Sequence, residues 1–173
     1  MEMAQFTKLI VARENPSSLE HAARTAVAAV VSYLAACLFR LPEAYWAPIS
    51  TLLVTQSTLG AALPISAQRF AGTAIGAAVG AVTATYFPGN FWAFGVAVFF
   101  IGVLCAVLRI ERGAYMHAGV TLVIVMLVTR STNAWRIAID RFFEVSIGLA
   151  VGLTLSVLWP EQQPESMAAD ERR

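Results

Sequence analysis

The chain has 173 residues, of which 58% are hydrophobic and 13% are charged, and its formal net charge is +1. Soluble domains contain roughly 45–50% apolar and about 25% charged residues, so this composition excludes an ordinary soluble protein and predicts an integral membrane protein. The near-neutral charge and the lack of a basic tract in the sequence give no basis for nucleic-acid binding.

Six apolar segments follow one another along the chain, separated by short polar or charged patches. They are residues 22–39, 45–59, 64–87, 91–108, 114–128 and 142–159. Strands of a membrane barrel would alternate apolar and polar side chains, which these segments do not, so each predicts a helix. The second and fifth fall short of the roughly 17–25 residues that a helix needs to cross the hydrocarbon.

The predicted fold is therefore an all-α membrane protein with six transmembrane helices. The transmembrane domain covers residues 19–159, between a cytoplasmic N-terminal segment at 1–18 and a cytoplasmic tail at 160–173. The first residues lack a long apolar stretch, so a cleaved signal peptide is not expected. Most Lys and Arg residues fall on the inner side if the N-terminus lies in the cytoplasm, which predicts that both termini are cytoplasmic.

A repeat links the two halves of the chain. The segment Gln68-Arg-Phe…Ile-Gly-Ala-Ala-Val-Gly80 matches Asp140-Arg-Phe…Ile-Gly-Leu-Ala-Val-Gly152 at an offset of 72, and Arg40 ends the first helix as Arg109 ends the fourth. Chance matching among abundant Ala, Val, Leu and Gly is the alternative, but the paired Arg-Phe followed by GxxxG favours two repeats, at 19–87 and 90–159. Because each repeat has three helices, the second would enter the membrane from the opposite side, as an inverted repeat.

Small residues line one face of the third and sixth predicted helices. The glycines concerned are Gly72, Gly76, Gly80, Gly148 and Gly152. Glycines at intervals of four let helices approach closely, so these residues are predicted to form packing surfaces between the repeats or at a dimer seam.

Polar residues interrupt the chain between the second and third apolar segments. Gly60 is suited to end one helix in the left-handed conformation and Pro64 to begin the next. The third helix would then start with free backbone N–H groups near residues 63–67, and Arg69 would follow within two turns. A helix N-terminus beside a guanidinium attracts a carboxylate, so an organic-anion site is predicted here. It consists of Arg69, Gln68, Gln56, Thr55 and Ser66.

Purely structural roles are the alternative for the residues of this predicted site. Arg69 can act as an anchor that extends to lipid phosphate, a common role of arginine near a helix end. Thr55 and Gln56 can satisfy backbone groups freed where the second helix ends.

Charged residues recur every four positions at the start of the sixth segment. Arg136, Asp140 and Glu144 share one helix face, and Arg141 lies beside them. A carboxylate one turn into a membrane helix can carry the proton of a proton-coupled exporter or neutralise a neighbouring arginine. Glu144, Asp140 and Arg141 are therefore predicted to form a proton or ion-pair relay.

Three further arginines are candidates for charged functions. Arg24, in the first helix, is a further candidate member of the relay, as well as a partner of nearby Glu20. Arg109 and Arg112 occupy a short cytoplasmic turn, where they signal orientation or form a basic vestibule that attracts anions.

The second and third segments carry a run of residues that resembles a known family. The run Trp46-Ala-Pro-Ile-Ser-Thr…Gln56…Gly60-Ala-Ala, followed by Gln68-Arg-Phe-Ala-Gly-Thr, resembles the fusaric acid resistance and aromatic acid exporter family. It is similar, more distantly, to the plant malate channels that aluminium activates. The resemblance implies a bacterial inner-membrane protein that exports organic anions such as aromatic carboxylates, and a single module that forms a homodimer.

The sequence contains no catalytic triad, phosphate-binding loop or dinucleotide fingerprint, so neither an enzyme nor a cofactor is predicted. Cys37 and Cys105 lie far from other metal ligands, so no metal site is predicted and both thiols are expected to be reduced packing residues.

The leading prediction is thus a homodimeric exporter that contacts membrane lipid and organic anions. The alternatives are a passive anion channel of the same fold and a non-transporting subunit of an efflux assembly that docks a periplasmic adaptor.

Overall fold

The structure is a computed structural model that describes residues 19–55, 59–128 and 133–159. Six helices account for most of the described residues, and no strand occurs among them. They are α1 (Leu19–Leu38), α2 (Trp46–Thr55), α3 (Leu59–Tyr86), α4 (Phe91–Val107), α5 (Arg112–Val128) and α6 (Ala134–Leu158). The prediction of an all-helical protein is confirmed.

Two helix starts differ from the prediction. α3 begins at Leu59, so Gly60 lies inside the helix and does not close α2 in a left-handed conformation. Ala61, Ala62 and Leu63 favour helix strongly, and Pro64 this close to the start removes only one backbone hydrogen bond. α6 begins at Ala134, well before Phe142, because its first turns hold charged residues that a search for apolar segments passes over.

The helices of the two halves interleave. α3 packs most extensively against α5 and also lies along α6, whereas α2 packs against α6. α1 flanks α2 and α6, and α4 flanks α5 and α3 in the same way. Every helix pair in contact therefore has a counterpart when α1, α2 and α3 are exchanged with α4, α5 and α6. The middle helix of each half packs mainly on the last helix of the other half.

The five predicted packing glycines are buried at these contacts between halves. A Cβ added to Gly76 would overlap the Ala118 carbonyl of α5, and one added to Gly148 would overlap the Ala47 carbonyl of α2. Likewise, Gly80 faces Val125 of α5, Gly152 faces Val54 of α2, and Gly72 faces the Ala114 carbonyl. The glycines thus serve helix contact inside one chain.

The ends of α1 and α4 adopt the same unusual geometry. Arg40 and Arg109 have φ values of 56° and 53°, in the left-handed region that side chains other than glycine rarely adopt. At each, the next residue donates a backbone hydrogen bond back into the helix, from Leu41 to the Ala36 carbonyl (3.2 Å) and from Ile110 to Cys105 (2.9 Å). Both ends are Schellman caps, which satisfy the last carbonyls of a helix.

The outer surface of the bundle is strongly apolar. On α4 alone, Trp92, Phe99 and Phe100 are exposed by 80%, 72% and 54%. A soluble monomer rarely exposes so much contiguous apolar surface, whereas lipid covers it in a helical membrane protein. By length and composition α1 and α6 can each cross a membrane, and α2, α4 and α5 are shorter apolar helices.

Candidate functional site

Four of the charged side chains that the structure describes are buried in the helix bundle. Arg24, Arg69, Arg141 and Glu144 are each exposed by 7% or less. Burying a charge is costly unless it is paired and hydrogen-bonded, so the partners of each indicate its role.

Arg69 of α3 lies where α2 and α5 approach that helix. Its Nη2 donates to the Ser50 hydroxyl of α2 (3.2 Å), and the Nε has no hydrogen-bond partner among the described residues. His117 of α5 lies close enough to interact electrostatically with Arg69. Ser66, one turn earlier on α3, is also buried and its hydroxyl lacks a partner among the described residues. Buried donors therefore gather around a guanidinium that no described carboxylate neutralises.

Arg141 of α6 occupies the matching place in the second half, but its surroundings differ. Its Nη1 lies 3.4 Å from the Glu144 Oε2, and its guanidinium carbon lies 3.6 Å above the centre of the Trp46 ring. The other oxygen of Glu144 accepts a hydrogen bond from the backbone N–H of Glu43 (3.0 Å). Where Arg141 has this carboxylate one turn further on, Arg69 has Gly72. Among the described residues, Arg141 thus has a carboxylate partner and Arg69 has none.

The two arginines are linked through Ser50 and Trp46 of α2. Ser50, which accepts from Arg69, donates to the carbonyl of Trp46 (2.9 Å), and the Trp46 ring lies beneath Arg141. The neighbouring residues Phe70 and Phe142 contact each other with ring centroids 5.0 Å apart. The Arg-Phe pairs of the two repeats therefore meet, and we call Arg69 and Arg141 the arginine pair.

A cleft reaches Arg141 and Glu144 from the end of the bundle where α6 begins. Its volume is about 320 Å³, and its charged lining comprises Arg40, Glu43, Arg136, Asp140, Arg141 and Glu144. The Arg136 Nε lies 4.0 Å from the Asp140 Oδ2 at its mouth. Beside it, partial burial and the Glu43 carboxylate raise the pKa of the Tyr45 phenol above its ordinary value, so this phenol is neutral at physiological pH. We call this the ionic cleft.

Arg24 has a different role from the predicted relay. Its guanidinium donates to the carbonyls of Thr55 (3.2 Å) and Trp159 (2.8 Å), at the ends of α2 and α6. The Trp159 indole in turn donates to Glu20 (2.8 Å). Arg24 therefore holds helix ends together and does not join Glu144 and Arg141.

The structure brings together only part of the anion site that the sequence predicts. Arg69 and Ser66 lie on one buried face, whereas Gln68 turns away and donates to Glu111. The Thr55 hydroxyl donates to the Leu52 carbonyl (3.2 Å), and Gln56 lies outside the described residues. Because α3 begins at Leu59, residues 63–67 lie within the helix and offer no helix N-terminus beside Arg69. The predicted contribution of that N-terminus is wrong.

The remaining candidates lie at the periphery. Arg109 and Arg112 are exposed; Arg109 forms the cap described above, and Arg112 is the first residue of α5. Both cysteines are free thiols, but only Cys105 is buried as a packing residue, since Cys37 is exposed.

Several residues of the site were not among the sequence candidates. Ser50, Trp46, Glu43 and His117 reach the arginine pair only through tertiary packing. The repeat is the one sequence signal that points to two of them, because Trp46 and His117 lie near matching positions of α2 and α5. Trp46 adjoins Arg141, and His117 adjoins Arg69.

Comparison with known proteins adds a family match. A family model described as fusaric acid resistance protein-like matches residues 26–155, which is most of the chain. No solved structure matches the chain.

Two kinds of curated relatives are similar to the chain. A Mycobacterium tuberculosis protein named "Putative arylamide transporter" is 26% identical over 150 residues, covering 84% of this chain and 42% of the relative. The Escherichia coli K12 protein "Uncharacterized transporter YdhK" is 27% identical over 149 residues, covering 81% of this chain and 22% of the relative. The chain thus spans less than half the length of these relatives.

Proposed function

Since the chain belongs to the fusaric acid resistance protein-like family, we propose that it is a membrane transporter that exports organic anions, chiefly aromatic carboxylates. Similarity to proteins named as transporters supports the general activity. The choice of an anion rests on the arginine pair.

The observation that carries the proposal is the state of Arg69. Only 7% of Arg69 is exposed. Among the described residues, its guanidinium nevertheless donates a hydrogen bond only to a neutral group, the Ser50 hydroxyl. A buried guanidinium without a counter-ion favours binding of an anion, and Arg presents parallel donors that fit a carboxylate. Ser66 and Ser50 add hydroxyls within the same region. Arg24 and Arg141 already contact backbone carbonyls and Glu144, respectively, so Arg69 is the primary site for the anion.

Aromatic surfaces near the arginine pair support the choice of an aromatic substrate. The Trp46 ring stacks on Arg141, and Ser50 connects the Trp46 carbonyl to Arg69. Phe70 and Phe142 each follow one of the two arginines in the sequence, and their rings contact each other. The mycobacterial relative is named for transport of arylamides, which also carry an aromatic ring.

The proposal keeps the orientation and the repeat symmetry that the sequence predicts. We place both termini in the cytoplasm of a bacterial cell, with the ionic cleft facing outward across the inner membrane. The matched helix contacts and the twin caps at Arg40 and Arg109 support two inverted repeats. A homodimer completes the proposal, and chemical crosslinking of the protein in membranes tests it.

The experiment that tests the function is transport of radiolabelled phthalate into proteoliposomes that contain the whole chain. Phthalate carries two charges and crosses lipid poorly by itself. We expect Arg69→Met to reduce uptake at least about tenfold, the scale of a lost charge-assisted hydrogen bond, and Arg69→Lys to restore part of it. Gln68→Ala is the matched control, because the neighbouring Gln68 turns toward Glu111 and should leave uptake unchanged.

Uptake by Arg69→Met at the wild-type rate would refute the anion site. Absence of uptake by the wild-type protein, with correct insertion shown by protease accessibility, would refute transport and favour a non-transporting subunit. An imposed pH gradient separates exporter from channel: a proton-coupled exporter responds to it, whereas a passive channel follows the electrical potential alone.

A further inference from the structure

The ionic cleft contains charges that the Arg69 site does not use. Its volume of about 320 Å³ lies within the range of about 300–1,000 Å³ typical of small-molecule sites. Its lining combines three arginines with three carboxylates. Arg141 and Glu144 are the buried members of that lining, exposed by 3% and 0%.

The pairing of Arg141 with Glu144 is incomplete. Charge-assisted N–H···O bonds are usually about 2.7–2.9 Å long, whereas Arg141 Nη1 and Glu144 Oε2 are 3.4 Å apart. The Arg141 Nε, also buried, has no hydrogen-bond partner among the described residues. Trp46 covers one face of the guanidinium, and Arg141 lines the cleft, where a planar carboxylate can reach it.

A hydrogen bond from the backbone holds Glu144 in position even when its contact with Arg141 is broken. Its Oε1 accepts from the Glu43 backbone N–H at 3.0 Å, which fixes one oxygen independently of Arg141. The first repeat, with Gly72 at this position, has no such internal carboxylate. The difference between the repeats is therefore a carboxylate placed beside only one of two matching arginines.

We propose that the ionic cleft is a second binding site for the exported anion, in which Arg141 binds the carboxylate and Glu144 competes with it for Arg141. The inference rests on the proposed function, since it places the second site on the outward side of Arg69. The anion passes from Arg69 by way of Ser50 and Trp46, and Glu144 then pairs again with Arg141 and expels it.

A tethered competitor weakens binding without removing the site. If Arg141 is free of Glu144 only a small fraction of the time, the apparent Kd rises by the inverse of that fraction. A free fraction between about one tenth and one hundredth weakens binding roughly 10–100-fold. Such weak binding suits a site from which an exported anion must leave.

Protonation of Glu144 should have the opposite effect, because a neutral carboxyl group no longer competes for Arg141. The charged and titratable groups around Glu144 are Glu43, Tyr45 and Arg40 from the turn before α2, Arg136, Asp140 and Arg141 from α6, and Arg69 from α3 with His117 of α5 beyond it. Binding in the cleft should therefore tighten as the pH falls.

Trp46 provides a local measurement, since its ring lies against Arg141. We would titrate the purified protein in lipid nanodiscs with benzenesulfonate, which keeps its negative charge across the pH range, and take the fluorescence change that Trp46→Phe abolishes. We expect Glu144→Gln to lower the Kd roughly 10–100-fold at neutral pH and to remove its pH dependence. Glu111→Gln, which neutralises an exposed carboxylate in the turn between α4 and α5, is the control and should change the Kd less than about threefold, because Glu111 contacts Gln68 and does not line the cleft.

If Glu144→Gln leaves the Kd unchanged, or if the Kd of this variant still depends on pH, Glu144 does not compete with the anion for Arg141. A Kd unaffected by Arg141→Met would overturn the site itself. If Glu144→Gln does not fold, the wild-type protein decides, since a Kd that does not fall with pH contradicts the inference. These failures leave the dependence of phthalate uptake on Arg69 intact, so they are distinguishable from failure of the proposed function.

Discussion

Replacing Gly76 or Gly148 with Ala adds one methyl group where two helices meet backbone to backbone. At Gly76 the new Cβ would overlap the Ala118 carbonyl oxygen and lie 2.9 Å from the Ala118 Cα. At Gly148 it would overlap the Ala47 carbonyl oxygen and lie 2.6 Å from the Ser50 Cβ. Backbone atoms cannot rotate away as a flexible side chain can, so the helices must separate by about 1 Å to restore ordinary contact.

The expected cost follows from two opposing effects. Overpacking a tight contact costs typically about 1–3 kcal/mol, while Ala in place of a helical Gly gains about 0.5–1 kcal/mol. Gly95 is a matched control inside α4, because a Cβ there meets nothing within 4 Å. The propensity gain is common to all three variants, so Gly76→Ala and Gly148→Ala should each be about 1–3 kcal/mol less stable than Gly95→Ala.

The free energy of unfolding can be measured by titrating the protein in mixed micelles with sodium dodecyl sulfate and following helicity by circular dichroism. Equal stability of Gly76→Ala and Gly95→Ala would refute the close approach of α3 and α5. A penalty at only one of Gly76 and Gly148 would contradict the equivalence of the two contacts. Gly148→Ala should also reduce phthalate uptake, since the displaced Ser50 contacts Arg69.

Two further changes test local features by the same unfolding assay. Arg24→Met removes two hydrogen bonds from a buried cation to helix-end carbonyls, and we expect a loss of about 1.5–3 kcal/mol; an unchanged unfolding free energy would show that the ends of α2 and α6 do not depend on it. Arg40→Gly and Arg109→Gly each relieve a left-handed conformation and should raise the free energy of unfolding by up to about 1 kcal/mol. The control Arg136→Gly, within α6, should lower it by about 1 kcal/mol. A lower unfolding free energy for either cap variant would contradict the φ values.

Patterns local in the sequence predicted the helical class well. Apolar segments gave the number and order of the helices, because lipid requires every backbone group to be satisfied within a helix. The spacing of Gly72, Gly76 and Gly80 gave the close-packed face of α3. Arg69 stood out as a candidate because an arginine is conspicuous within so apolar a chain.

The surroundings of Arg69 could not be predicted in the same way. Ser50 and His117 come from other helices, and no spacing along the chain shows that a hydroxyl on α2 will meet a guanidinium on α3. Pro64 favours the first turn of a helix and so predicts a later start of α3, whereas the helix-forming residues before it extend α3 back to Leu59. The contact of Glu144 with the Glu43 backbone likewise depends on how α6 packs against the turn before α2.

The interleaving of the two halves sets the order of events during synthesis. When the ribosome has completed α3, the helices against which α2 and α3 mainly pack have not yet been made, and the glycine face of α3 is open to lipid. The ten-residue α2 is too short to span the hydrocarbon by itself and gains its main neighbour only with α6, the last of the described helices. The contacts that bury α2 and the glycine face of α3 can therefore form only after the second half has been made.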